Sequence, residues 1–314
     1  SLLYAISDFG AVAVLDVPVL TWRLYLAVEN QDVARASVLG AATLAALLPM
    51  FLAARALRGG VQRSSVANAR PIRAQSSGRL AAYATAVAVS IIVGLGVVLP
   101  VGTLVVWVWD GMSRSLSFVS QWGAIVDTTL VALGGMVVTV ALASLPAWTV
   151  AAEERKGSRK SWVEDGVYLT SALPGVLLAL GLIVAAVRFT RPFGADVYGA
   201  VLGSGVLLMV GYATRFVAEV FAPLRVAFGA VDPRQMESAR VLGAGGWKRF
   251  RTVLLPSIAP GVVVACLIGF NAIVKELPVT LLLGGATGLK TLSFRVWDRY
   301  NEALWHDAGV AGLW

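Results

Sequence analysis

Seven apolar runs, long or nearly long enough to cross a bilayer as helices, follow one another along this chain and leave few folds open to it. They are Leu2 to Leu15, which is partial, Val33 to Ala54, Leu80 to Val106, Ile125 to Val150, Val167 to Val187, Tyr198 to Ala222 and Ile258 to Gly284. An eighth opens near the end, from Ala308 to Trp314. A hydrocarbon core about 30 Å thick takes roughly 20 residues per helical crossing. With 58% hydrophobic and 14% charged residues, 314 residues carry more apolar surface than a soluble core of that size buries. Lipid is therefore the expected solvent, soluble α/β folds drop out, and the expected fold is all-α, a polytopic transmembrane helix bundle. Pro100, Pro146 and Pro174 lie within or near the ends of runs. A kink there is tolerable where neighbouring helices cover the freed carbonyl.

The formal charge of +8 does not point to nucleic acid, because the arginines fall between apolar runs and build no basic face interleaved with aromatics. Their placement gives sidedness instead, since Lys and Arg accumulate in cytoplasmic loops. Arg55, Arg58, Arg63, Arg70, Arg73 and Arg79 mark one loop, Arg155, Lys156, Arg159 and Lys160 a second, and Arg225, Arg234, Arg240, Lys248, Arg249 and Arg251 a third. The alternate loops hold only Arg23, Arg114, Arg188, Arg191, Lys290, Arg295 and Arg299. The loop from Pro223 to Pro256 is thus expected in the cytoplasm. Residues 55–79, rich in Gly, Ser, Gln and Arg, read as a linker between two bundles. The lone Cys266 can form neither an internal disulfide nor a metal cluster. Ser1 to Leu15 has no basic leader region, no initiator Met stands at the start, and the final run stops after two turns. Both ends are therefore expected to be cut.

The stretch VDPRQMESARVLGAGGWKRFRTVLLPSIAPG carries the densest local signals. Asp232 is a good N-cap, Pro233 suits the first helical position, and Gln235 stands where a capping box places it. A helix is expected through Glu237, Ala239 and Leu242, stopping at Gly243, where a missing Cβ permits a left-handed residue. A second short helix from Trp247 should carry Lys248, Arg249 and Arg251 on its wet side, with Trp247, Phe250 and Leu254 opposite, until Pro256 breaks it. Two short amphipathic helices at an angle suit insertion into a partner's groove, although such a pair can also lie on headgroups.

Glu237-Ser238-Ala239, Gly243 four residues after Ala239, and the closing Leu254-Leu255-Pro256 resemble the EAA signature of binding-protein-dependent ABC importer permeases. Ser238 stands where the family usually has Ala. The resemblance implies that Asp232, Glu237, Ala239, Gly243, Trp247 and Pro256 belong to a coupling loop seated in a cleft of a cytoplasmic ABC ATPase dimer, and that a periplasmic solute-binding protein delivers substrate. It further implies multi-pass residence in a bacterial inner membrane, with ATP and Mg held by the ATPase and no cofactor on this chain.

The chain also resembles itself. Leu20-Thr21-Trp22-Arg23-Leu24-Tyr25 parallels Leu292-Ser293-Phe294-Arg295-Val296-Trp297, and an acidic residue, Asp8 or Glu276, precedes each. A direct repeat follows, with residues 1–54 the end of a first permease unit and 80–314 a second unit cut at its end. The arrangement is similar to the fused two-unit ferric iron permeases, on Ser7-Asp8-Phe9-Gly10, Leu173-Pro174-Gly175, Arg215-Phe216 and Lys275-Glu276-Leu277-Pro278. That likeness implies ferric iron as substrate. Related fused permeases carry thiamine, and single-unit relatives carry sulfate, polyamines, phosphonates or sugars.

Ionisable residues inside a membrane are functional candidates. Asp8, Lys275 and Glu276 are candidates for the pathway, where acidic oxygens would suit a hard cation; each carboxylate could equally bond to Arg or backbone and fix packing. Arg215 is expected to pair with Glu219 one turn on. His306 has no second ligand in view, and the metal ligands, if any, are unknown. The chain has no GK[ST] phosphate loop, HExxH or GxSxG, so neither an ATPase nor a membrane enzyme is expected. An ATP-independent transporter or channel remains the rival reading, and the EAA-like loop weighs against it.

Overall fold

The computed structural model describes Ala13 and residues 17–61, 79–157 and 161–314; Asp8, the first apolar run and much of the expected linker lie outside the described residues. Described secondary structure is helical. The helices are α1 (Leu20–Glu29), α2 (Val33–Val61), α3 (Arg79–Val93), α4 (Leu99–Ser113), α5 (Trp122–Arg155), α6 (Trp162–Ala172), α7 (Gly175–Thr190), α8 (Ala195–Gly203), α9 (Val206–Gly229), α10 (Pro233–Val241), α11 (Gly246–Arg249), α12 (Leu255–Val274), α13 (Pro278–Gly284), α14 (Leu292–Asn301) and α15 (Trp305–Leu313). One π segment, Gly94–Val98, joins α3 to α4, and another, Phe250–Leu254, joins α11 to α12. Among the described residues six helical stretches are long and apolar enough to cross a membrane: Val33–Ala53, Ala81–Ser113, Trp122–Arg155, Gly175–Phe193, Val206–Gly229 and Gly246–Val274.

Three expected runs are redrawn. The fifth, Val167 to Val187, is two helices, because Pro174 forces Leu173 into an extended conformation (ψ 131°) that ends α6. In the sixth, Tyr198 belongs to α8; the chain reverses at Gly205, whose φ of +75° is left-handed, and α9 continues through Pro223 to Gly229. The seventh begins at Gly246 rather than Ile258, because Pro256 does not break the helix. In the wide turn before it, the Leu255 amide reaches back to the Phe250 carbonyl, and a π turn accommodates a residue without an amide hydrogen. The loop expected from Pro223 to Pro256 is accordingly shorter, its first seven residues being the end of α9.

The chain groups into two compact units that interleave along the sequence. One comprises Ser1–Leu52 with Val126–Thr291, the other Ala53–Ile125 with Leu292–Trp314. In the first, α5, α6, α7, α9, α12 and α13 pack into a bundle with two apolar clusters. One holds Ala143, Val150, Val167, Phe221, Leu224, Phe228, Ile258 and Ala265, and the other Val131, Ala179, Leu208, Tyr212, Phe216, Ile273, Val279 and Leu283. Along α9 the change falls between Phe216 and Ala218 and along α12 between Ala265 and Ile273, while Val167 of α6 belongs to the first cluster and Ala179 of α7 and Val279 of α13 to the second. The bundle is thus two tiers. Small residues let α9 and α12 close up: a Cβ on Gly261 would stand 2.3 Å from the Ala227 Cβ.

In the second unit, α4 packs on α15, with Trp107 and Trp305 rings 5.2 Å apart. The Val119 amide donates to Asp307 (3.0 Å) and Arg295 Nη1 to the Ser120 carbonyl (3.0 Å), fastening the loop after α4. His306 packs edge-on against Phe118. The corners α1–α2 and α14–α15 have one geometry. α1 and α14 each open on a Leu and run for ten residues, and Gln31 and Ala303 both take φ of +57°. Asp32 donates to the Ala27 carbonyl, and Leu304 to that of Arg299, both at 2.9 Å.

Candidate transport and coupling sites

The loop between α9 and α12 forms much as its residues dictate. Asp232 is extended (ψ 118°), and its carboxylate accepts the Arg234 amide at 2.9 Å, one residue earlier than the Gln235 amide of a full capping box. α10 ends in paired carbonyl captures. Ala244 donates to the Ala239 carbonyl and Gly243 to that of Arg240, both at 3.0 Å, with Gly243 at φ +78°. This is the Schellman arrangement, and it explains why Gly lies four residues after Ala239. Ala239 is half-buried and Glu237 exposed, while Met236 packs on the cluster of Phe221, Leu224 and Phe228, seating α10 on the bundle. Beyond the seat, large apolar side chains face outward: Val241 is 87% exposed, Leu242 86% and Trp247 74%, with Trp247 stacked on Phe250.

Beneath this loop, three helix ends are tied by charges. Arg225 on α9 bridges Glu164 at the start of α6 (2.5 Å) and Glu154 near the end of α5. Arg155 Nη2 donates to the Phe228 carbonyl at 2.8 Å and lies over the Trp148 ring. The sequence revealed Arg155 and Arg225 only as loop charges. Their partners stand tens of residues away, and no spacing rule connects them.

Where the two tiers meet, both interrupted spans and a buried arginine converge. Arg215, 7% exposed, donates from Nη1 to the carbonyls of Leu173 (3.2 Å) and Ser171 (3.4 Å), left over where α6 stops. A cation at a helix C-terminus is favoured by the helix dipole. Arg215 acts electrostatically on Glu219 one turn on, as its spacing suggests, whereas its reach to α6 is not evident from spacing along one helix. Glu276, 8% exposed, lies between α12 and α13 and accepts the Val279 amide at 3.4 Å, an acid at a helix N-terminus. Its Oε1 fills the space where Gly175 has no side chain. Tyr212 and Thr280 hydroxyls share a hydrogen bond of 2.7 Å, and Thr280 Oγ1 also donates to the Glu276 carbonyl. Three stretches separate in sequence, Leu173-Pro174-Gly175, Arg215-Phe216 and Lys275-Glu276-Leu277-Pro278, therefore form one junction. Lys275 caps α12 and is exposed. Tyr212 and Thr280 gave no signal in the sequence beyond being polar residues in apolar runs. Among the described residues no group of three or more His, Cys, Asp or Glu is placed to hold a metal ion.

Residues 145–306 match the family described as binding-protein-dependent transport system inner membrane component. An Fe(3+)-transport system permease protein of Haemophilus influenzae, FbpB 2, is 26% identical over 308 residues, 96% of this chain and 58% of that protein. A molybdenum transport system permease protein of Azotobacter vinelandii, ModB, is 35% identical over 112 residues, 33% of this chain and 48% of the relative. A spermidine/putrescine transport system permease protein of Haemophilus influenzae, PotB, is 28% identical over 145 residues, 46% of this chain and 45% of the relative. The chain thus spans about three fifths of the length of the iron-transport relative and about half of the other two.

Proposed function

Because this chain belongs to the family of binding-protein-dependent transport system inner membrane components, we propose that it forms part of the translocation pathway of an ABC importer and takes its energy from a separate ATPase. The observation that carries this reading is the outward-facing loop, where a well-capped helix seated through Met236 exposes Val241, Leu242 and Trp247. Exposed apolar side chains clustered on a rigid corner favour a protein partner, and a cleft in the ATPase dimer is the proposed occupant. Asp232, Glu237, Ala239, Gly243, Trp247 and Pro256 are the proposed coupling residues, on the cytoplasmic side by the distribution of Lys and Arg. A periplasmic solute-binding protein is the proposed donor of substrate. The matching corners α1–α2 and α14–α15 support a direct repeat of permease units.

Ferric iron is the proposed substrate, supported by likeness to the iron-transport permease along 96% of the chain, where the molybdenum and polyamine relatives cover less than half. Thiamine or another small solute is the alternative. The full-length protein, reconstituted in proteoliposomes with its ATPase and binding protein, should take up ferric iron only when ATP is supplied. Uptake of molybdate, spermidine or thiamine in its place would replace the substrate and keep the importer. Uptake without ATP would overturn the importer reading.

A further inference from the structure

α6 is fastened to α9 at both ends and runs into α7 through Leu173 and Pro174. At its cytoplasmic end Glu164 meets Arg225 at 2.5 Å; at its mid-span end the Ser171 and Leu173 carbonyls receive Arg215. Both arginines belong to α9, ten positions apart, a rise of about 15 Å. Between them Val167 lies in the cluster with Phe221 and Leu224, and the Tyr168 ring packs edge-on against Phe221. Met236 of the loop helix joins the same cluster. At the end of α6, extended residues replace the helical hydrogen bonds. A displacement of α10 is therefore passed to α9 and α6 together and meets its first soft point at Leu173–Pro174, beside the buried Glu276.

From this we infer that Arg225 is a positioning residue for coupled transport: by gripping Glu164 it makes α6 travel with α9, so that motion of the cytoplasmic loop reaches the mid-span junction. The inference rests on the importer reading above. One guanidinium supplies both the link to α6 and an internal control. Glu164 connects it to the movable half-span, whereas Glu154 connects it to the uninterrupted α5. A planar fork can hold two carboxylates at once, which a lysine ammonium does less well.

The test uses the reconstituted full-length transporter in a Cys266→Ser background. Spin labels at Gly166 on α6, Gly181 on α7 and Gly229 on α9 occupy positions where a side chain meets nothing within 4 Å. Across the nucleotide cycle the 166–229 distance should stay constant while the 166–181 distance changes. In Glu164→Gln the 166–229 distribution should broaden and substrate moved per ATP hydrolysed should fall at least about fivefold. Glu154→Gln should leave both readings near wild type, whatever it does to thermal stability. Equal effects of the two variants on substrate moved per ATP would mean a merely structural ion pair, and unchanged coupling in Glu164→Gln would overturn the inference alone. A wild-type transporter with no ATP-driven uptake would overturn the importer reading and the inference together.

Discussion

Gly175 and Glu276 show how closely single residues are fitted at the junction. A Cβ on Gly175 would stand 2.8 Å from Glu276 Oε1 and 3.2 Å from the Pro278 Cβ. Neither neighbour yields easily, since the carboxylate is buried and the ring is part of α13. Gly175→Ala should therefore destabilise the protein by about 1–3 kcal/mol, as overpacking does, and a thermal unfolding scan in detergent would measure it. Glu276→Gln keeps the volume but removes the charge that faces the N-terminus of α13. Its main loss should also be stability, with uptake per folded transporter retained. Normal stability with lost uptake would return Glu276 to the pathway. The sequence marked this residue as a charge in an apolar run, but the space left by Gly175 belongs to a helix about a hundred residues away.

At the scale of elements, what could be read in advance was what the chain decides locally. α10 is set by Asp232, Pro233 and Gly243 within twelve consecutive residues, and it formed where those signals placed it. The ends of the spans were less legible, because no charge marks Leu173–Pro174 or Ser204–Gly205, where the backbone turns, and the charged pair Lys275-Glu276 reads as a functional interruption as readily as a helix end. Proline was ambiguous for a physical reason. Pro174 ends a helix, Pro223 lies inside one, and Pro256 is absorbed by a π turn. The loop helix has little packing beyond Met236, so its cap matters more than usual. Asp232→Ala should cost about 1 kcal/mol and speed hydrogen exchange of the first-turn amides of α10, leaving α9 and α12 protected. Equal protection of that turn in variant and wild type would show that the cap does not hold the helix.

For the whole molecule, the membrane class followed from the apolar runs and the basic loops, and six spans among the described residues agree with it. The two-tier bundle did not follow. It depends on which helices share a cluster, and the ties that define its lower tier join residues 61 and 71 positions apart. The central claim is that the loop around Gly243 links this bundle to an ATPase. Gly243 has φ +78°, a conformation that costs a residue with a Cβ about 1–2 kcal/mol, and a Cβ there would touch nothing within 4 Å. Gly243→Val should thus distort the corner and leave the spans packed. The direct measurement is ATP hydrolysis stimulated by loaded binding protein in proteoliposomes, with wild-type and Gly243→Val transporters compared at equal assembled amounts. The account predicts stimulation in the wild type and its loss in the variant at an unchanged unfolding temperature; full stimulation in the variant would contradict it.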